Sequence, residues 1–437
     1  MVLYSPGRTS SYPNIPPDKG IRYHYLGGGD EVGNVGCVFE DNKGTRMLLD
    51  YGLAPTDPPK YPNESPMIKN AVITHSHLDH LGMAPWLCSN YGTKLHGTEL
   101  TSKLSQMMWN DCYKVSRIEG YPLAWDKRDI DEAILSWETH NFNEVWHNND
   151  WKLSLKKAGH IPGAAMLNVE TESHKLLFTG DFDSRDSKLT EGAKPVKTDV
   201  LFIEGTYGGK DHIPQEENID NFISKIVEVN EKGGTSLIPT FANGRTQDIV
   251  MTLHEHLPDF NVHVDGMGKH VAKLQLEHPE TLRDHKELEN AWKWCKKVSS
   301  KSDRKKALDA DCIVSTSGML DGGPAIWYLN RLRNDLRNSI CLTGYQAKGS
   351  GGRMLLEKGK IPIWGNNTEI GLEVNQFSFS THAGHSEIVN FAKECQAETV
   401  VIYHTDSTIA RPPLVEALEK NGHIVHSPEN GKSINIE

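Results

Sequence analysis

From residue 21 onward the apolar positions fall into short β-branched and aromatic runs cut by glycine: IRYHYLGGGDEVGN, GCVFE and RMLLDYG. Runs of this length, bounded by turn residues, predict strands. AVITHSHLDHLG continues the pattern as a buried strand ending in a polar loop, and the spacing from Leu81 to Asn90 predicts a helix that stops near Gly92. Residues 98–136 read as two helices, and WKLSLKKAGH, AAMLNVETE, HKLLFTGDFD and DVLFIEGTYG as four strands, several ending in a polar or acidic residue. After Gly208 the rhythm changes to strand, loop, helix, repeated through SLIPTFANGRTQDIVMTLHEHL, NVHVDGMGKHVAKLQLEH, CIVSTSGMLDGGPAIWYLNRLR and SICLTGYQAKGSGGR, which predicts a parallel-sheet α/β unit. The charged stretch 280–308 reads as a solvated helix and linker, with a basic contact surface the weaker alternative. From Val374 strand-end polar residues return in FSFSTHAGHSE and VVIYHTD, and the chain closes with an amphipathic helix, LVEALEKNG, and the strand-like HIVHSP.

The economical organisation is one α/β domain interrupted by another. Residues 1–20, rich in Pro and Ser, read as a flexible arm. Residues 21–208 and 372–437 form the host domain and 209–371 the insert, as expected for a 437-residue chain too long for one core.

Composition narrows the function. Hydrophobic content of 37% with 24% charge is that of an ordinary globular protein. The formal charge of −11 weighs mildly against a nucleic-acid binder, although a local basic groove or bound metal ions can offset it. Seven scattered cysteines without a C-x-x-C pair favour reduced thiols over a disulfide framework or a cysteine metal site. The first twenty residues lack an apolar signal core and no long apolar run occurs, so the expectation is a cytoplasmic protein without a membrane partner.

The chemistry centres on His75-Ser-His77-Leu-Asp79-His80, three imidazoles and a carboxylate just after a buried strand. One loop of that spacing offers nitrogen and oxygen donors to two metals. Asp50, His160, Asp181 and His404 each fall at another strand end. Any one of them alone reads more readily as a turn residue or a satisfied histidine. Together they supply what a dinuclear site needs, including a carboxylate able to bridge.

These pieces resemble a known family. HSHLDH, the Asp50 strand end, GHIPGA with His160 and FTGDFD with Asp181 are similar to the motifs of the metallo-β-lactamase superfamily, which implies an αββα sandwich with metals at one edge. Glu204 in IEGTYG, His382 in FSFSTH and His404 in IYH resemble the motifs of its β-CASP group, and PTFANGRTQD, STSGMLDGGPA and GYQAKGSGGR resemble that group's inserted domain. The likeness runs from about residue 21 to the end and is nearest in style to the cleavage and polyadenylation specificity factor nucleases, with ribonuclease J further off. It implies two zinc ions, one held by His75, His77 and His160, the other by Asp79, His80 and His404, with Asp181 bridging and Asp50 orienting a ligand imidazole. It further implies that Asp79 serves the reaction as well as the metal, and that His382, paired with Glu204, protonates the leaving oxygen, with neighbouring His385 the alternative.

The expected activity is hydrolysis of phosphodiester bonds in single-stranded RNA, by endonucleolytic cuts or trimming from the 5′ end. An inserted domain of this size is more than a small-substrate hydrolase needs. Its loop-to-helix junctions place glycines, hydroxyls and cations where helix N-termini attract phosphate, making Arg245, Ser315, Ser317 and Lys348 candidate substrate contacts. Each junction taken singly is at least as readily an ordinary turn. Two rivals are a small-molecule hydrolase of lactonase or thioesterase type and a catalytically silent RNA-binding subunit. A second copy of the chain and an RNA-processing complex are further candidate partners.

Overall fold

Strands that are buried on both faces send alternate residues into different cores, and the computed structural model shows this through most of the first unit. It describes residues 12–56 and 58–437. In strands Gly36–Asp41 and Arg46–Leu49, Cys37, Phe39, Met47 and Leu49 enter one core while Val38 and Leu48 enter another. Strands Val200–Glu204 and Thr399–Tyr403 do the same: Val200, Phe202, Val401 and Tyr403 join the first core, and Leu201, Ile203, Val400 and Ile402 a third.

The shared core lies between two seven-stranded sheets. A tilted aromatic pair links them, Phe39 and Phe178 with ring centroids 4.7 Å apart, and Phe178 stacks on Phe202 of its own sheet at 4.1 Å. Such pairs add about 0.5–1.5 kcal/mol each beyond the area they bury. The outer face of the first sheet is covered by helices Ala84–Tyr91, Glu99–Glu119 and Lys127–Leu135, and that of the second by His385–Cys395 and Arg411–Lys420. This is the αββα sandwich. Strand Ser433–Ile436 pairs with Ile21–Gly27 at the border of the first sheet.

The second unit is a six-stranded sheet whose strands all run parallel. Alternation again separates two cores, Ile238, Val314 and Cys341 on one face against Leu237, Ile313 and Ile340 on the other. The order of strands, Lys296–Lys297, Val262–Asp265, Cys312–Ser315, Ser236–Pro239, Ser339–Leu342 and Glu373–Gln376, requires crossover connections, and helices supply them.

Three expectations need correction. Residues 1–11 of the expected arm lie outside the described residues, but Tyr12 is buried in the core beneath the first sheet and its hydroxyl donates to Glu40 at 2.7 Å. The insert closes at 381 and not 371, because Glu373–Gln376 joins the parallel sheet beside Ser339–Leu342; its start falls at 212, with 186–191 also belonging to it. FSFS, which looks more strand-like than EVNQ, forms no strand, since Phe377 and Phe379 turn in against Phe222. All seven cysteines are free and buried, and among the described residues no helix is long and apolar enough to cross a membrane.

Candidate metal centre

Ten side chains singled out from the sequence gather in the sandwich unit, most of them held at or just beyond a strand end. His75 and His77 follow strand Asn70–Val72, and Asp79 and His80 lie on the single turn Leu78–Leu81. His160 follows Trp151–Lys157, Asp181 follows Lys175–Phe178, Glu204 ends its strand, and His404 follows Thr399–Tyr403. Asp50 and His404 leave their strands with φ of +54° and +48°. Non-glycine residues seldom take this left-handed conformation, and here it turns both side chains off the sheet.

Three imidazole nitrogens meet first. His77 Nδ1 lies 3.1 Å from His75 Nε2 and 3.2 Å from His160 Nε2. Three nitrogens, each able to present a lone pair, thus converge on one point. Burial, reinforced by His80, holds the His75 pKa well below the usual imidazole value, which keeps it neutral and able to donate an electron pair.

Asp181 stands between two sets of histidines. Its Oδ2 is 3.6 Å from His75 Nε2 and 3.9 Å from His160 Nε2, while its Oδ1 is 3.2 Å from His80 Nε2 and 3.7 Å from His404 Nδ1. Asp79 Oδ2 adds a contact of 3.4 Å to His404 Nε2. Donor atoms of His75, His77, His160 and Asp181 all lie within 4.8 Å of one another, as do those of Asp79, His80 and His404.

The donors fit divalent cations. His80 Nε2 and Asp181 Oδ1 are buried side by side with no hydrogen-bond partner among the described residues. His80 commits its other nitrogen, Nδ1, to Asp50 Oδ2 at 2.7 Å; burial opposes the imidazolium, but Asp181 and Asp50 hold its pKa well above the usual value, so a cation would take the place of the Nε2 proton. Asp50 is fully buried and also accepts from Thr74 N at 2.7 Å and Thr74 Oγ1 at 2.8 Å. Its carboxylate therefore ties the Asp50 strand end, the Thr74 loop and the His80 imidazole together.

His382 stands beside this cluster, its ring 4.6 Å from that of His160. Its Nδ1 bonds Glu204 Oε1 at 2.8 Å, and Glu204 is fully buried with Oε2 accepting from Thr206 N at 2.8 Å. Burial lowers the imidazolium pKa, but Glu204 and Asp181 outweigh it and raise it to about 9. His385, the alternative, begins helix His385–Cys395 and accepts from Gly209 N at 3.1 Å through its Nδ1. It has no part in the donor groups around Asp181.

The four candidate substrate residues sit in the inserted unit after neighbouring parallel strands. Ser317 and exposed Lys348 occupy loops, whereas Arg245 begins helix Arg245–His256 and pairs with buried Asp248 at 3.5 Å. Ser315 is fully buried and its hydroxyl turns to the Thr316 carbonyl at 3.4 Å, which removes it from the candidates for substrate contact.

Residue spacing gave no sign of three supporting side chains. Thr74 holds Asp50, and Thr206 Oγ1 lies 3.1 Å from His404 Nδ1. Arg185 grips Asp183 with two nitrogens, at 3.0 and 2.8 Å, and donates to the His382 carbonyl at 3.2 Å. Only the last carries a usable signal, an Asp and an Arg two apart directly after the Asp181 motif.

Sandwich, inserted parallel sheet and a histidine–aspartate cluster at the strand ends define a metal-dependent hydrolase of the metallo-β-lactamase superfamily. Residues 28–199 match the family model described as metallo-beta-lactamase superfamily, and 246–355 that of the Beta-Casp domain. The chain is 34% identical over 94% of its length to the "Probable RNase MJ4" of Methanocaldococcus jannaschii, covering 99% of that protein. It is 32% identical over 94% of its length to "RNase aCSPSF2" of Saccharolobus solfataricus, covering 84% of it. With the "Cleavage and polyadenylation specificity factor subunit 3" of Dictyostelium discoideum it shares 29% identity, over 94% of this chain and 57% of that one. A solved protein of unknown function from Enterococcus faecalis shares the fold, with a TM-score of 0.58 at 14% identity over 95% of this chain and all of that one. The chain belongs to the β-CASP ribonuclease family.

Proposed function

We propose that this chain is a zinc-dependent ribonuclease that hydrolyses phosphodiester bonds of single-stranded RNA with two metal ions. The observation that supports it most is Asp181, whose two oxygens face different histidine sets at 3.2–3.9 Å. A single carboxylate so disposed suits a bridge between two cations. His75, His77 and His160 would hold one, Asp79, His80 and His404 the other, and Asp181 both. When bound, such ions polarise a phosphoryl oxygen and bring the pKa of water near neutrality.

The chain's own groups do the rest. Asp50 fixes the His80 tautomer through Nδ1, and Glu204 does the same for His382. With Nδ1 so engaged, His382 offers Nε2 to the leaving 3′ oxygen, and its side chain is 20% exposed where His75 and His80 are wholly covered. Proton delivery there leaves a 5′-phosphate on the downstream product. Ser317 and Lys348 are the phosphate contacts we assign to the inserted unit.

Metal analysis combined with turnover of a short end-labelled RNA tests this reading. Zinc near two equivalents with RNA cleavage supports it. Hydrolysis of a lactone or thioester with inert RNA overturns it. Comparing 5′-triphosphate with 5′-monophosphate substrates separates internal cutting, which is indifferent to the end, from 5′ trimming.

A further inference from the structure

The inserted unit carries a crowd of cations that hydrolysis at the metal centre does not use. Residues 293–306 hold seven lysines and arginines and one acid, Asp303, in a chain of formal charge −11. They fold as the end of helix His285–Trp294, the sheet-edge strand Lys296–Lys297 and helix Lys301–Lys306. Many of the chain's other lysines sit against carboxylates, as Lys43 does with Asp150 and Glu172 and Lys225 with Glu228 and Glu373. Lys296, Lys301, Lys305 and Lys306 are exposed and form no ion pair among the described residues.

Lysines on an edge strand discourage unwanted strand pairing, and this accounts for Lys296 and Lys297. It leaves the cationic helix unexplained, and it leaves the aromatic rings between the cations unexplained too. The Arg304 and Arg331 guanidinium carbons lie 5.7 and 3.6 Å from the centre of the Trp327 indole, which packs on one face of the sheet, while the Lys297 ammonium lies 5.4 Å from the centre of Trp292 on the other face. Both tryptophans keep part of their surface in solvent. Buried Asp265 fixes the arrangement, accepting from Arg304 Nε at 2.6 Å and Tyr328 Oη at 3.1 Å, with Lys269 Nζ 3.6 Å away. A guanidinium already laid on an indole turns N–H donors outward with little freedom left to lose, the disposition that suits a phosphate.

We propose that the cations of strand Lys296–Lys297 and helix Lys301–Lys306 bind the backbone of single-stranded RNA, a contact made by residues other than those that cut it. Lysines without ion-pair partners complement phosphates, and the guanidiniums held on Trp327 add donors of fixed orientation beside them. The inference rests on the ribonuclease reading and adds to it a determinant of substrate length.

The test uses the metal-loaded enzyme and its variant Lys296→Gln/Lys301→Gln/Lys305→Gln/Lys306→Gln, with oligouridylates of about 30 and about 6 nucleotides chosen to exceed and to fall within one typical site. The expected result is a KM for the long RNA raised at least about tenfold, and a salt slope of log KM about 3 smaller, at ~0.7 for each phosphate no longer neutralised by a lysine. The short RNA should keep its kcat and KM. An unchanged KM for long RNA overturns the proposal while leaving the ribonuclease reading intact. Failure of the wild type to cut either RNA overturns both. Weaker heparin retention without a change in KM assigns the face to another polyanion and also overturns it. Unchanged thermal unfolding checks that the variant folds.

Discussion

Buried polar side chains in the sandwich crowd the ends of its strands, where His75, His80, His160, Asp181 and His404 have mainly each other for company. In the inserted unit, Asp265 closes on Arg304 and Tyr328, and Gln247 on the carbonyls of Ala242 and Gly268. Both sets are out of water, but the second is closed by hydrogen bonds within its own unit, whereas the first leaves His80 Nε2 and Asp181 Oδ1 buried with no hydrogen-bond partner among the described residues. A polar group matched locally supports the fold. A cluster of imidazoles and carboxylates that leaves buried donor atoms over suits a bound cation.

Substitutions can break this contrast or sharpen it. The largest effect is expected at Asp181: Asp181→Ala, or chelation of the wild type, should take cleavage of a labelled RNA to background, and activity surviving either would erase the distinction. His382→Ala should lower kcat by about 10²–10⁴-fold, the range for removal of a general acid, with metal content retained; His385→Ala should change kcat little. Asp50→Asn should weaken metal binding by about 10–100-fold in competition with a chelator, because the His80 ring loses its orienting acceptor.

Acid should act through histidines outside the metal centre. Burial, aided by Arg22, lowers the His24 pKa from 6.5 to about 4, and burial with His140 does the same for His96. Since the unfolded chain takes up these protons first, stability is complete above pH 6.5 and drains away down to about pH 4, by on the order of 3 kcal/mol per imidazole. Denaturant midpoints above and below that window measure it, and His24→Asn should flatten the dependence. The smallest effect belongs to the locally matched set. Asp265→Ala should cost about 2 kcal/mol of stability, the scale of a charged hydrogen bond, and leave turnover of a short RNA unaltered.

Much of the centre was legible because metal ligands need particular atoms at particular spacings. HSHLDH declares itself, and Asp50, His160, Asp181 and His404 follow apolar runs whose strand character is plain. Thr74 and Thr206 were not legible, since a hydroxyl that supports a neighbouring side chain through space has no fixed offset from it. Strand Glu373–Gln376 escaped notice for a related reason: polar EVNQ owes its conformation to pairing with Ser339–Leu342, not to its own side chains. Tyr12 shows the limit of composition, as one ring inside a Pro- and Ser-rich segment suffices to pin it to Glu40.

His75 and His404 are separated by more than three hundred positions, and residues 212–381 between them form the other unit. During translation, therefore, a growing chain completes the whole inserted sheet before the last ligand leaves the ribosome. Until His404 has emerged, no nascent polypeptide owns a finished centre. On the proposed ligand set, cutting activity waits for the final stretch of the chain's own synthesis.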